Sequence, residues 1–200
     1  EAQALQQQRA EHATRNAALE QQRDAQKKLL AEADTRLAQQ KGKLASLKHD
    51  AEALSRLLKQ LQNVFADIPA QLGKNTPFAK LRGKLAWPVA GTPREGTGLL
   101  AHGIVLAAKP GADVHAVAYG RVAWADFMRG YGMLVIIDHG DGWMSLYGGN
   151  ESALVSAGDW VRPGQAVATV GRDPEQGGAW FGLRKDGKPV DPQGWFASRR

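Results

Sequence analysis

The chain has 200 residues, of which 43% are hydrophobic, and this is enough for one or two domains with a packed core. Its net charge of +6 is spread without a dense basic cluster, so we do not expect it to bind nucleic acid. It contains no cysteine, which excludes disulfides and cysteine-based metal or catalytic sites.

The composition changes sharply near residue 70. Residues 71–200 hold 22 of the 23 glycines, eight of the nine prolines and all six tryptophans. This shift predicts an α+β multidomain chain, with a helical segment at 1–70, a linker at 71–83 and an all-β domain at 84–200. The chain begins within a helical pattern and shows no signal peptide, so we expect a fragment with a truncated N-terminus.

The helical segment carries an apolar seam with 3-4 spacing, which predicts a coiled coil of about five heptads. Upstream of the seam the same register mostly fails, and Gly42 is a candidate break, so one long helix and two helices both remain open. A plain structural spacer is the alternative to a binding or regulatory arm. The seam consists of Leu30, Ala33, Leu37, Gln40, Leu44, Leu47, Ala51, Leu54, Leu58, Leu61, Phe65 and Ile68.

The remainder alternates short apolar runs with turns rich in glycine, proline and aspartate. Seven such runs predict strands of an all-β sandwich or barrel. The central one, Met133–Asp138, is followed by a Gly-Asp-Gly turn and by the returning strand Trp143–Tyr147. The other runs are Gly103–Ala107, Val114–Val117, Gly120–Ala125, Ala166–Val170 and Trp180–Arg184.

Four stretches of this segment resemble the LytM/lysostaphin-type zinc endopeptidases, which cut peptidoglycan: residues 84–91, 130–149, 155–171 and 180–192. The resemblance implies a barrel-sandwich-type fold. It also implies five positions for zinc ligands and catalytic histidines, and this chain fills them with Ala101, Val105, Gly149, Gly178 and Trp180. None of these side chains can bind zinc or transfer a proton, so we expect a degenerate peptidase domain without enzyme activity and without a cofactor.

The three histidines of this domain do not restore the site. His102 is adjacent to a ligand position, but neighbouring strand residues point to opposite faces. His115 and His139 have no carboxylate at metal-ligand spacing. A zinc-dependent peptidoglycan endopeptidase with unorthodox ligands remains the alternative. A carrier domain, suggested by Gly-Asp-x-Val-x-x-Gly-Gln, lacks the lysine that such domains modify.

A coiled coil followed by a LytM domain without ligands resembles the EnvC-type murein hydrolase activators. The resemblance implies a periplasmic protein at the division site that activates an N-acetylmuramoyl-L-alanine amidase and contacts an FtsEX-type membrane complex through its coiled coil. Peptidoglycan itself is a weaker candidate partner. The amidase would bind the vacated cleft, and a helix could mask that cleft until a signal arrives.

We therefore predict two sets of functional residues. The partner-binding groove consists of Ala101, His102, Val105, Tyr131, Leu134, Tyr147, Trp180 and Arg184. The masking helix contributes Leu54, Leu58, Leu61, Phe65 and Ile68.

Overall fold

The structure is a computed structural model that describes residues 2–64, 76–172 and 178–198, with helix side chains described at 15–16 and 19–61. The chain divides into two compact units, Glu1–Ser46 and Leu47–Arg200. The predicted boundary at residue 70 lies outside the described residues, so the division at 1–70, 71–83 and 84–200 stays a prediction.

One helix, α1 (Ala2–Val64), accounts for the N-terminal segment, which answers the question of one helix or two. Gly42 lies inside it without a break. Alanine, leucine, glutamine, glutamate and lysine dominate its sequence, and all five have high helix propensity. In the first unit its large apolar side chains, such as Leu30, Leu37 and Leu44, are exposed. Within the described ranges, no helix combines the length and apolar character needed to cross a membrane.

The second unit contains an antiparallel β-sheet of ten described strands, which confirms the predicted fold class. Its main path runs β1-β2-β9-β6-β5-β4-β7; β10 pairs with β9, and β8 pairs with both β3 and β6. The strands are β1 (Thr92–Glu95), β2 (Gly103–Ala107), β3 (Asp113–His115), β4 (Gly120–Met128), β5 (Gly132–Asp138), β6 (Trp143–Ala153), β7 (Trp160–Val161), β8 (Ala166–Val170), β9 (Ala179–Lys185) and β10 (Lys188–Val190).

The central strands are buried on both faces, which explains why their sequences are nearly continuous apolar runs. On β5, Val135 and Ile137 join one buried cluster, while Leu134 and Ile136 join another. The first cluster is the larger and includes Phe78, from the short 3₁₀ turn Phe78–Leu81 that precedes the sheet. The second cluster includes side chains of α1.

His139, Ser145 and Tyr147 form a polar network beside the first cluster. The Nδ1 atom of His139 is 2.7 Å from the carbonyl oxygen of Tyr119, and its Nε2 atom is 2.7 Å from Ser145 Oγ. A hydrogen bond of 3.0 Å joins Ser145 Oγ to the hydroxyl of Tyr147. A carbonyl only accepts, so Nδ1 carries the proton of the neutral ring and Nε2 is its unprotonated nitrogen, facing Ser145 Oγ. Phe78 stacks on the imidazole at 4.4 Å between ring centroids.

This network makes His139 a pH-dependent stability element. Burial lowers the pKa of His139 to about 4, against an ordinary value of 6.5. In the folded state His139 therefore stays neutral, whereas in the unfolded chain it binds a proton as the pH falls below 6.5. We expect the free energy of unfolding to fall by roughly 1–2 kcal/mol more in the native chain than in His139→Gln between pH 7 and pH 5.

Chemical denaturation at both pH values measures this difference. Burial also raises the pKa of Asp138, which changes stability in the opposite sense, but Asp138 is present in both proteins and its contribution cancels. Equal pH dependence of the two proteins would contradict the prediction.

Candidate partner-binding groove

Two of the positions that the resemblance assigns to metal ligands lie side by side in the sheet. Val105 on β2 and Trp180 on β9 are direct cross-strand partners. Gly148, just before the vacated histidine position at Gly149, pairs with Trp180 from the other side. Among the residues that the structure describes, no group of three histidine or acidic side chains is arranged to hold a metal ion.

The indole of Trp180 fills this part of the sheet. It lies against glycines on three strands: a Cβ added to Gly182 would fall 2.5 Å from the indole, one on Gly103 2.5 Å and one on Gly148 3.1 Å. The indole Nε1 donates a hydrogen bond of 3.1 Å to the carbonyl of Leu100. The glycines therefore provide a flat surface on which a large aromatic ring lies.

The 3₁₀ turn Gly98–His102 forms one wall beside this ring. The hydroxyl of Tyr131 donates to the carbonyl of Leu99 at 3.3 Å, next to the bond from Trp180 to Leu100. The side chains of Leu99 and Leu100 pack against the second buried cluster. Two aromatic side chains thus hold the Gly98–His102 turn through its backbone carbonyls.

Helix α1 covers the surface formed by Val105, Tyr131, Leu134 and Trp180, which we call the groove. The docked face of the helix consists of four buried leucines that belong to the same cluster as the groove: Leu54, Leu57, Leu58 and Leu61. The structure therefore brings together three leucines of the predicted masking helix and four residues of the predicted groove. Phe65 and Ile68 lie outside the described residues.

Arg184 is a buried cation on the groove side of β9, opposite Met144. Only 7% of the residue is exposed, and its buried Nε atom has no hydrogen-bond partner among the described residues. Burial lowers the pKa of the guanidinium, although proximity to Tyr131 opposes this. Burial also raises the pKa of Tyr131, with Arg184 acting to lower it and Asp50 of the helix to raise it.

Three predicted groove residues lie elsewhere. Tyr147 packs in the first cluster, on the opposite face of β6 from Met144 and Leu146. Side chains alternate along a strand, so Tyr147 shares a face with Ser145 and not with Met144. Ala101 and His102 are exposed on the 3₁₀ turn that precedes β2, and line an open pocket of about 300 Å³.

Several contributors were not predicted. Leu57 falls outside the strict 3-4 seam, although a helix that packs on a broad surface uses a wider apolar stripe than a coiled coil does. Met144 and Leu146 could have been found from their alternation with Ser145 on β6. Asp50 carries no sequence signal that distinguishes it from the other acidic residues of the helix.

Comparison with known proteins agrees with this geometry. Residues 100–192 match the family model described as Peptidase family M23, and this range includes all five positions that the resemblance assigns to zinc ligands and catalytic histidines. The Murein hydrolase activator EnvC of Escherichia coli K12 is 45% identical over 123 residues, which is 58% of this chain and 29% of that protein. The Murein hydrolase activator NlpD of the same strain is 35% identical over 130 residues, covering 62% of this chain and 33% of that protein.

A solved structure supports the fold. It is assigned as a peptidase M23 from Pseudomonas aeruginosa and superposes with a TM-score of 0.56 at 21% identity, over 72% of this chain and 61% of that one. At this identity the likeness concerns the fold alone. This chain spans about a third or less of the length of the two curated relatives.

The glycine surface under Trp180 predicts a steric effect. In Gly182→Ala the new methyl group would overlap a rigid ring that is itself hydrogen-bonded, so we expect a loss of about 1–3 kcal/mol in the free energy of unfolding. In Gly42→Ala the added methyl meets no atom within 4 Å, and helicity should rise because alanine is favoured by about 1 kcal/mol. Denaturation and circular dichroism measure the two effects, and a neutral Gly182→Ala would contradict the packing described here.

Proposed function

We propose that this chain, which carries a domain of Peptidase family M23 at residues 100–192, activates a cell-wall hydrolase and does not cut the wall itself. Two relatives that align with this domain have the name murein hydrolase activator. The partner would be a periplasmic N-acetylmuramoyl-L-alanine amidase. We propose that the protein acts in the periplasm at the division site.

One observation supports the proposal: two positions that the resemblance assigns to zinc ligands are paired in the sheet but hold apolar side chains. Val105 and Trp180 face each other across β2 and β9, and neither can bind zinc. Here an indole lies on three glycines and bonds to the Gly98–His102 turn, which favours a surface retained for recognition.

The groove has the composition of a protein-binding surface. Aromatic and aliphatic anchors surround a buried arginine, and such residues contribute most of the binding energy in protein interfaces. Arg184 has no carboxylate partner among the described ion pairs, so an acidic side chain of a bound protein would form an ion pair with its guanidinium. We propose that Val105, Tyr131, Leu134, Trp180 and Arg184 form the amidase-binding surface.

We further propose that α1 regulates access to this surface. The four leucines of the docked face fill the groove, so the amidase and the helix cannot occupy it together. The state described here would be the masked one. The exposed apolar side chains upstream, including Leu30, Leu37 and Leu44, would contact an FtsEX-type membrane complex, which could then pull the helix away.

The masking proposal predicts a gain of function from the helix. In Leu57→Glu/Leu58→Glu two carboxylates would enter an apolar cluster, which costs several kcal/mol and favours the undocked helix. We expect amidase activity in a wall-fragment release assay to rise at least tenfold at a fixed, subsaturating concentration of this chain. Leu44→Glu changes an exposed leucine of the same helix and should behave as the native chain does. Unchanged activation by the double variant would overturn the masking.

The binding proposal predicts a loss of function from the groove. In the Leu57→Glu/Leu58→Glu background, Arg184→Ala should weaken amidase binding about ten- to a hundredfold, because it removes a central charged anchor. Arg162→Ala removes an exposed arginine elsewhere and serves as the control. Binding is measured by titration and activation by fragment release, with chain-only reactions alongside. Wall cutting by the chain alone would contradict the proposed function.

A further inference from the structure

Asp50 is the first described side chain of α1 that is buried, and it lies one turn before the docked leucines. The residue is 7% exposed, whereas its neighbours His49 and Ala51 are exposed. Its Oδ1 atom is 3.7 Å from Nε of Arg129, whose side chain is 75% exposed. A buried carboxylate is therefore paired with a cation that water and other molecules can reach.

The local backbone is shaped for this contact. Gly130 follows Arg129 in the left-handed region, with φ 84°. A Cβ at Gly130 would lie 2.5 Å from Leu99 Cδ1 and 3.6 Å from Asp50 Oδ2. The absence of a side chain at this position lets the helix approach the tip of the β4–β5 hairpin closely. The carboxylate is also near enough to Tyr131 to raise the pKa of its phenol.

We propose that Asp50 and Arg129 form an electrostatic clasp that sets how readily the helix leaves the groove. The clasp deepens the proposed masking function and rests on it for its biological meaning. The leucines supply most of the docking energy, but apolar contacts are insensitive to competing ions. The ion pair is different, because separating the cation leaves a buried carboxylate without a partner.

This asymmetry gives the clasp a distinctive signature. Loss of Arg129 alone leaves the buried Asp50 carboxylate without this cation and should favour undocking. Loss of both charges removes the buried carboxylate as well and should restore docking. A residue that served only as packing would show no such compensation. Salt should also weaken the clasp, because one partner is exposed to solvent.

Hydrogen exchange at the amides of residues 54–61 measures undocking directly, without any partner protein. We expect Arg129→Gln to accelerate exchange about tenfold and Arg129→Lys, which keeps the charge, to remain near the native rate. Asp50→Asn combined with Arg129→Gln should return exchange toward the native rate. Arg162→Gln, an exposed arginine outside the contact, is the matched control.

Two results would overturn the clasp. One is native-like exchange in Arg129→Gln, and the other is equal acceleration in Arg129→Gln and the double variant. A second readout is salt: exchange in the native chain should accelerate between 0.05 M and 0.5 M salt, where the Debye length falls from roughly 14 Å to roughly 4 Å, and the double variant should not respond. Amidase activation is measured on the same samples. Faster exchange without increased activation would leave the clasp standing and refute the masking function.

Discussion

The second face of the β-sheet can be apolar because a helix covers it. Strands β2, β5, β6 and β9 each bury apolar side chains on both faces, so each face must be covered by another part of the chain. Loops of the sheet and the turn at Phe78 cover the face with the first cluster. The docked face of α1 covers the face with the second cluster. The stability of the β-rich unit therefore depends on whether the groove is covered.

Trp180 and Tyr131 together fix the Gly98–His102 turn against the sheet. The indole lies on glycines of three strands and donates to the carbonyl of Leu100, while the hydroxyl of Tyr131 donates to the carbonyl of Leu99. Burial of two large aromatic side chains and two hydrogen bonds thus position this turn.

Much of this arrangement follows from sequence periodicity. The strands Gly103–Ala107 and Ala166–Val170 were predicted with the bounds that the structure gives, because turn residues delimit them sharply. The predicted order of a helical segment followed by an all-β domain is also found in the structure. The open question of one helix or two was settled by the continuous hydrogen bonding through Gly42, which composition alone could not decide.

The predicted groove differs from the structure at three residues. The resemblance assigns Tyr147 to the groove, but alternation along β6 places it on the face opposite Met144 and Leu146. Ala101 and His102 precede the predicted strand Gly103–Ala107 and lie in a 3₁₀ turn, which apolar periodicity does not predict. Asp50 could not be found from the sequence, because its burial depends on the hairpin that meets it.

The two-sided burial of the central strands has a consequence for solubility. If the helix leaves as proposed, Leu134, Trp180 and the leucines that covered them all become exposed to water at once. Contiguous apolar surface of this kind drives association between molecules unless another surface replaces the first. An open molecule without a partner would thus tend to reclose or to aggregate, so the amount of hydrolase nearby would limit how long the open form persists.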